Sequence, residues 1–422
     1  MSFVVRHAER LLGRPIAGAV DENVGPILDY AAEGGGDDDD DDDDRANTTT
    51  NTTTKNTTTI NQPARVYDYA SELECDRHAA AFASCVRSSA ARDVSRSGRG
   101  FAAIKVTALG DPVLLERMST AIVEVKNLFG KFDVRGTGSI GREDFVGCYE
   151  RCFHVNDGKL VDILEMLRVD SPGGGDMIDY ISFSQLFTPY TLSTFTSKCN
   201  DVGPLVLATP SDEEVALLKR TSERLHALAE EASRCGTRLL IDAEHTKYQP
   251  AIDNLVLELQ RKYNAKDRSD RPVIFNTYQD VTERVMTDLK RSERFDFHFA
   301  AKLVRDPIHE TAERTHRCYD EVVELLLRHR CRHGPGLEIM IATHNETSIR
   351  KATDLMTELG LVPNDESVHF AQLYGMSDYL TFTLGHHGYN AFKYLPYGKV
   401  REVMPYLYWG TQERSCVYST MS

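Results

Sequence analysis

Eight short apolar runs, each ending in polar or charged residues, recur along this chain and restrict its fold more than any other feature. They are Ile27-Leu28-Asp29-Tyr30, Ala103-Ile104-Lys105-Val106, Leu239-Leu240-Ile241-Asp242-Ala243-Glu244, Val273-Ile274-Phe275-Asn276, Phe299-Ala300-Ala301-Lys302, Ile339-Met340-Ile341-Ala342-Thr343-His344, Val368-His369-Phe370-Ala371-Gln372 and Ala391-Phe392-Lys393-Tyr394. Several of the stretches between them carry helical periodicity. Strands apolar on both faces and separated by crossover helices imply parallel β/α architecture. Eight units point to a (β/α)8 TIM-type barrel, whose chemistry sits where strands give way to loops. A doubly wound sheet is the competing arrangement.

At 422 residues the chain has room for such a barrel and more. Its formal net charge is -15, much of it from the eight-Asp run at 37–44, so the remainder is mildly acidic and carries no nucleic-acid footprint. The nine cysteines are scattered and contain no CxxC pair, which argues against a zinc site or a disulfide framework. No apolar run approaches the roughly 18 residues needed to span a bilayer. The start carries Arg6, Arg10 and Arg14 against Glu9, which fits either the remnant of a basic targeting segment or a native helix. Asn-Thr-Thr at Asn47, Asn51 and Asn56 matches the glycosylation acceptor but falls in a repetitive tract.

That tract, residues 34–60, is almost wholly Gly, Asp, Asn and Thr. It has little to bury against the entropy of ordering, so a disordered insertion is expected between a first strand at 25–32 and a helix at 67–91. A second strand is expected at 101–108. The following 130 or so residues are too many for one crossover, and their middle has its own pattern. Asp133, Gly138, Ile140 and Asp144 fall at positions one, six, eight and twelve of a calcium-binding helix-loop-helix, but Arg135 stands where position three should offer oxygen. A second copy keeps Asp170, Ile178, Asp179 and Phe183, but has Pro172 and one extra residue, and closes on Ser182 in place of a Glu. This resembles an EF-hand pair with damaged loops, in which Ile140 and Ile178 can pair without an ion. Beyond it, Ser211 with Glu214 makes a capping box for a helix that Gly236 stops. Apolar stripes mark helices at Ile252–Leu259 and Ile349–Leu359, and a final helix is expected at 400–409. The implied organisation is 1–33 for an N-terminal helix and first strand, 34–60 for the insertion, 61–120 for more barrel, 121–198 for the EF-hand-like module, 199–415 for the rest of the barrel, and 416–422 for a tail.

The strand-end residues carry the chemistry. Lys105 is a cation in an awkward place unless it meets an anion or a carboxylate such as Asp242. Asp242 and Glu244 are two positions apart and need not share surroundings. Lys302 and Arg305 present two positive groups suited to a phosphate or an electron-rich ring, or simply to balancing the acids. His344 lacks a second His at a short fixed offset, which favours a hydrogen-bonding role over a metal-binding one. His386-His387 lies in a loop without a nearby carboxylate. With no dinucleotide fingerprint and no nucleophile elbow, the residues alone describe a barrel enzyme with a mixed-charge rim that binds an anionic ligand.

Beyond that point the motifs resemble those of the proline dehydrogenase (proline oxidase) family. They are Gly25-Pro26-Ile27-Leu28-Asp29-Tyr30-Ala31-Ala32-Glu33, Ala103-Ile104-Lys105-Val106-Thr107-Ala108, Ile241-Asp242-Ala243-Glu244 and Phe275-Asn276-Thr277-Tyr278-Gln279. Four more follow: Ala301-Lys302-Leu303-Val304-Arg305, Ala342-Thr343-His344-Asn345, Phe370-Ala371-Gln372-Leu373-Tyr374-Gly375-Met376 and Tyr394-Leu395-Pro396-Tyr397-Gly398. The resemblance implies a distorted barrel holding FAD over its strand ends and oxidising L-proline to Δ1-pyrroline-5-carboxylate, with electrons passed to quinone. It implies a mitochondrial protein on the matrix side of the inner membrane. Lys105, Asp242, Tyr394 and Glu413 correspond to substrate-side groups, and Asn276, Lys302, Arg305, His344 and Gln372 to cofactor-side groups. No metal is implied, the damaged loops at Asp133, Asp144, Asp170 and Asp179 being the one alternative. Two departures stand out. The family's Arg-Arg-x-x-Glu signature, whose arginines clamp the substrate carboxylate, reads Trp409-Gly410-Thr411-Gln412-Glu413 here, and Arg305 runs directly into Asp306-Pro307-Ile308 where relatives carry a longer loop. They motivate a second reading: a weak or inactive flavin-binding paralogue with a binding or regulatory role, or a chain missing segments.

Overall fold

The computed structural model describes residues 24–30, 67, 69–90, 100–154, 160, 163–165, 167, 177–279, 282–304, 312–334 and 336–398. The tract at 34–60, the expected helix at 400–409, Asp170, Arg305 and Glu413 lie outside these residues.

Every one of the eight apolar runs overlaps a strand, and together the strands close a ring. In chain order the barrel strands are β1 (Val24–Tyr30), β2 (Phe101–Ile104), β5 (Arg238–Ile241), β6 (Ile274–Gln279), β7 (Phe299–Val304), β8 (Leu337–Ala342), β9 (Val368–Leu373) and β10 (Ala391–Tyr397), with β3 and β4 belonging to an insertion described below. All pairs are parallel, and β1 meets both β2 and β10, so no edge remains open. The alternation of a strand sorts the side chains into two layers. Ile27, Phe101, Leu240, Phe275, Ala300, Met340, Ala371 and Phe392 pack against one another inside the ring. Ile104, Leu239, Ile241 and Ile274 pack outward on the helices. Both faces are covered, so the runs are apolar throughout.

The second strand is shorter than its sequence suggests. It ends at Ile104, and Val106–Ala108 turn into a 3-10 helix, not the continuous strand expected over 101–108. Its partner β5 ends in register with it, Ile104 against Ile241, so no ladder remains for the chain to follow. Thr107 then bonds the Glu244 carboxylate through both its amide and its hydroxyl.

The crossover helices begin and end as their sequences dictate. Helix α1 (Glu72–Ala90) follows β1, and α2 (Pro112–Phe132) follows β2. The helix preceding β5 spans Asp212–Cys235. Ser211 accepts from the Glu214 amide, the Glu214 side chain accepts from the Ser211 amide, and Gly236 stops the helix at φ 70°. At the far end of the barrel from the motif-bearing loops, Arg238 and Glu338 form a fully buried ion pair at 3.1 Å, with His369 at 3.4 Å and the Arg238 guanidinium over the Phe101 ring. This polar plug fills the base of the ring.

The insertion after β2 is helical and grows directly out of the barrel. Leu114, Leu115 and Met118 of α2 belong to the barrel-side core, while Val125, Phe129 and Phe132 belong to a separate aromatic core with Phe145, Phe153 and Phe183. One unbroken helix therefore serves both. Helix α3 (Arg142–Cys152) and helix α4 (Tyr180–Leu186) follow the two loops, and β3 (Ser139–Gly141) pairs with β4 (Met177–Asp179) through Ile140 opposite Ile178. In the first loop the Asp133 carboxylate accepts from the amides of Thr137 and Gly138, and the Arg135 guanidinium lies 3.3 Å from Asp144. In the second, Asp179 and Ser182 are held by Arg294 of the barrel helix α5 (Thr282–Arg294) at 2.9 Å and 2.7 Å. Burial would raise the Asp179 pKa, but bonds from Ser182 and Arg294 outweigh it and leave the carboxyl below its ordinary value. Each loop thus meets its acid with an arginine.

Candidate functional site

A ligand can reach a filled barrel only at its mouths, and at the C-terminal one four ionised side chains meet. Inward-facing residues near the ends of β1, β2, β5 and β7 supply them. Lys105, held in extended backbone just past β2, places its Nζ 3.2 Å from each carboxylate oxygen of Asp29 on β1. The same Nζ is 3.6 Å from Asp242, which follows β5. Lys302 of β7 donates to the other Asp242 oxygen at 2.6 Å. Tyr394 of β10 donates its hydroxyl to Asp242 Oδ2, and the Lys302 ammonium sits 4.7 Å from the centroid of the same ring. The result is a charge-alternating chain, Asp29–Lys105–Asp242–Lys302, with a phenol closing one side.

Each charge in this chain is buried: Asp29 is 0% exposed, Lys105 and Asp242 8%, and Lys302 6%. Unpaired, any of them would cost several kcal/mol to keep ionised. Burial pushes Asp242 upward, but the Lys302 and Lys105 ammoniums overcome it, and the carboxyl lies below its usual range. Glu244 behaves differently. Burial raises it to about 7, with the Thr107 bonds and Lys105 pulling down and Asp242 pushing up. Two carboxyls two residues apart therefore hold their protons differently, because one faces lysines and the other a turn.

Among the residues singled out by sequence, Lys105, Asp242, Lys302 and Tyr394 come together at this mouth. His344 stands half-buried two residues beyond β8. Asn276 and Gln372 occupy the alternate strand face. Asn276 donates to Asp253 at 3.1 Å in the helix layer, where Arg284 also binds that carboxylate at 2.6 Å. Gln372 donates to the Thr343 carbonyl and accepts from Thr381, a residue of the helix Asp378–His386. Both amides are engaged behind the strand ends, since each is one residue out of phase with an inward neighbour, Phe275 or Ala371. His386 closes that last helix and His387 caps it.

On sequence alone Lys105 calls for an anion or a carboxylate such as Asp242, and Asp242 does lie 3.6 Å from it. The structure gives Lys105 its hydrogen bonds to Asp29, an acid already visible at the end of the first apolar run. The signal was its parity: Ile27 and Asp29 share the inward face. The bond between Glu244 and Thr107 left no such signal, because it depends on the turn after β2.

A closed eight-stranded parallel barrel with a helical insertion and a buried charge cluster at its C-terminal mouth defines a TIM-type protein. The sequence matches the family described as Proline dehydrogenase over residues 181–413, more than half of the chain. It is 35% identical over 379 residues to Proline dehydrogenase 1, mitochondrial, of Homo sapiens, covering 82% of this chain and 61% of that protein. Identity to the Drosophila melanogaster protein of the same name is 32% over 396 residues, 84% of this chain and 57% of the relative. Hydroxyproline dehydrogenase of Homo sapiens is 38% identical over a shorter 221 residues, 47% of this chain and 48% of that one. The chain thus spans about three fifths of the length of the first of these relatives. Among solved structures it resembles proline utilization A (PutA) from Bdellovibrio bacteriovorus, with a TM-score of 0.53 at 13% identity over 93% of this chain and 30% of the other, a likeness of fold. The chain belongs to the proline dehydrogenase family.

Proposed function

We propose that this protein is a flavin-dependent dehydrogenase that oxidises L-proline to Δ1-pyrroline-5-carboxylate. The observation that carries the reading is the buried Asp29–Lys105–Asp242–Lys302 chain under Tyr394, at the one mouth to which the family motifs converge. An amino acid is a zwitterion, and a mouth of alternating charges offers each end a partner. Asp242 is the acceptor for the substrate nitrogen, and Lys105 the cation for its carboxylate. The Tyr394 ring covers the apolar face of the pyrrolidine.

The donor set also suits a flavin. Two ammoniums at one buried mouth supply the charge that favours an electron-rich isoalloxazine ring. FAD bound there would supply the two-electron acceptor, held by Lys302, Arg305 and His344, with Asn276 and Gln372 bracing the strand ends behind. Glu413 completes the substrate side by its motif position. The names of the relatives support a mitochondrial location, and the family supports onward transfer of electrons to a quinone at the matrix face of the inner membrane. Among the described residues no helix is long and apolar enough to cross a membrane.

The test is anaerobic mixing of the purified flavin-loaded protein with L-proline and, separately, with hydroxy-L-proline. Bleaching of the flavin absorbance by L-proline supports the proposal. Bleaching by the hydroxylated substrate alone reassigns the specificity. A bound flavin that neither compound bleaches favours the second reading, an inactive paralogue, which the Trp409-Gly410 pair motivates. In that case Trp409→Arg with Gly410→Arg restores bleaching if the missing clamp is the defect.

A further inference from the structure

We propose that Asp29 is a positioning residue for the site, holding the Lys105 ammonium in place between two carboxylates. The inference rests on the reading of this mouth as the substrate site, and it assigns a task to a residue that the family comparison left without one.

The geometry starts with β1, which contributes one inward carboxylate to the mouth. Asp29 is opposite Ala103 in the β1–β2 register, so Lys105 lies two residues further on along the same inward face. Its Nζ is equidistant, at 3.2 Å, from both Asp29 oxygens. Its distance to Asp242 is longer, 3.6 Å, because the Asp242 oxygens already accept from Lys302 and Tyr394. Asp242 is thus shared among three donors, whereas the fully buried Asp29 carboxylate brings both oxygens to Lys105. Without it, Lys105 loses the nearest carboxylate it has among the described residues and holds its proton less firmly, since a close anion is what stabilises a buried ammonium.

Among the described residues the groups facing Lys105 include Asp29 from β1, and Asp242 with Glu244 from the end of β5, with Lys302 and Tyr394 one contact further off. Of these acids Asp29 lies nearest the ammonium, at 3.2 Å through both oxygens, while Asp242 is drawn also to Lys302 and Tyr394 and Glu244 to the Thr107 turn. Asp29 is therefore the group whose loss changes Lys105 most. Neutralising it leaves Asp242 between two cations, drawn towards both. The substrate carboxylate then meets a lysine that is free to swing, and the substrate nitrogen meets a carboxylate that has moved.

The experiment uses the full chain carrying Asp29→Asn, with Asp29→Ser as a smaller second variant, each checked for folding by its thermal transition. The Lys105 side chain is followed by NMR in protein labelled with 13C at lysine Cε, the signal being assigned by its loss in Lys105→Met. The expected result is that Lys105 loses its proton at a pH about one unit or more lower in the variant than in the wild type. For the flavin-loaded protein, kcat/KM for L-proline falls roughly tenfold or more, with the basic limb of its pH profile displaced in the same direction. Added formate restores the Ser variant in part, by returning a carboxylate to the vacated space. An unchanged Lys105 titration in a folded variant overturns the proposal, because a merely structural Asp29 would lower the thermal midpoint and leave that titration alone. If the wild type proves inactive on proline while the titration still shifts, the positioning role stands and only the substrate assignment falls.

Discussion

At the scale of single residues, burial sets opposite protonation habits for neighbouring acids, and Glu244 gives the clearest measurable consequence. Its folded pKa of about 7 lies above the ordinary 4.5. Between those values the folded chain keeps a proton that the unfolded chain has released, so stability falls as pH rises through the window. The decline from this one group is roughly 3 kcal/mol, at about 1.4 kcal/mol for each pH unit between the two values. Glu244→Gln, which keeps the neutral form, should remove most of it. Urea midpoints measured below pH 4.5 and above pH 7 would show a slope in the wild type and a flatter line in the variant. An identical slope in both proteins would mean that another group governs it. Asp242 contributes in the reverse sense: its lowered pKa makes its stabilisation present at neutral pH and lost as pH falls through its folded value.

At the scale of elements, the two loops of the insertion are tied to each other and to the barrel by contacts of their own. Backbone pairing of Ile140 with Ile178 joins the loops, and arginines meet the acids that remain. Arg294 matters more than Arg135, because it reaches from α5 of the barrel into the second loop and is itself nearly buried, whereas Arg135 is largely exposed. Arg294→Ala should cost about 1 kcal/mol, the low end for a charged hydrogen-bonded pair, because Asp179 is two-fifths exposed and screened by solvent. In a protein of this size that lowers the thermal midpoint by about 2 °C. Calcium added to the wild type should leave the midpoint unmoved. A calcium-dependent rise would show that the arginines yield to the ion, contrary to this account.

At the scale of the whole molecule, α2 is the structural joint. It runs without a break from Leu114 and Leu115 in the barrel-side core to Phe129 and Phe132 in the insertion core. Loss of either core leaves half of a continuous helix without its packing, which couples the two. Barrel and insertion should therefore unfold together, as a single calorimetric transition whose enthalpy matches its sharpness. Two resolved transitions would show that the insertion is only tethered.

The barrel itself was legible in the sequence because burial on both faces forces each strand to be apolar throughout, and eight such runs with helical spacers leave little choice of architecture. The capping box at Ser211 and the stop at Gly236 were equally plain, since both follow from local backbone chemistry. The strand-end charges could be named from the sequence, but only some of their partners. Lys105 meets Asp242 as its sequence suggests but gives its hydrogen bonds to Asp29, Asn276 and Gln372 turned to the helix layer, and Glu244 found Thr107. Those choices depend on strand register and on where β2 ends, which are properties of the closed ring and not of any one segment. Amino-acid order decided which groups reach the mouth of the barrel. Only the folded ring, by bringing residues such as Asp242 and Tyr394, 152 positions apart in the chain, within hydrogen-bonding reach, decided which of them pair.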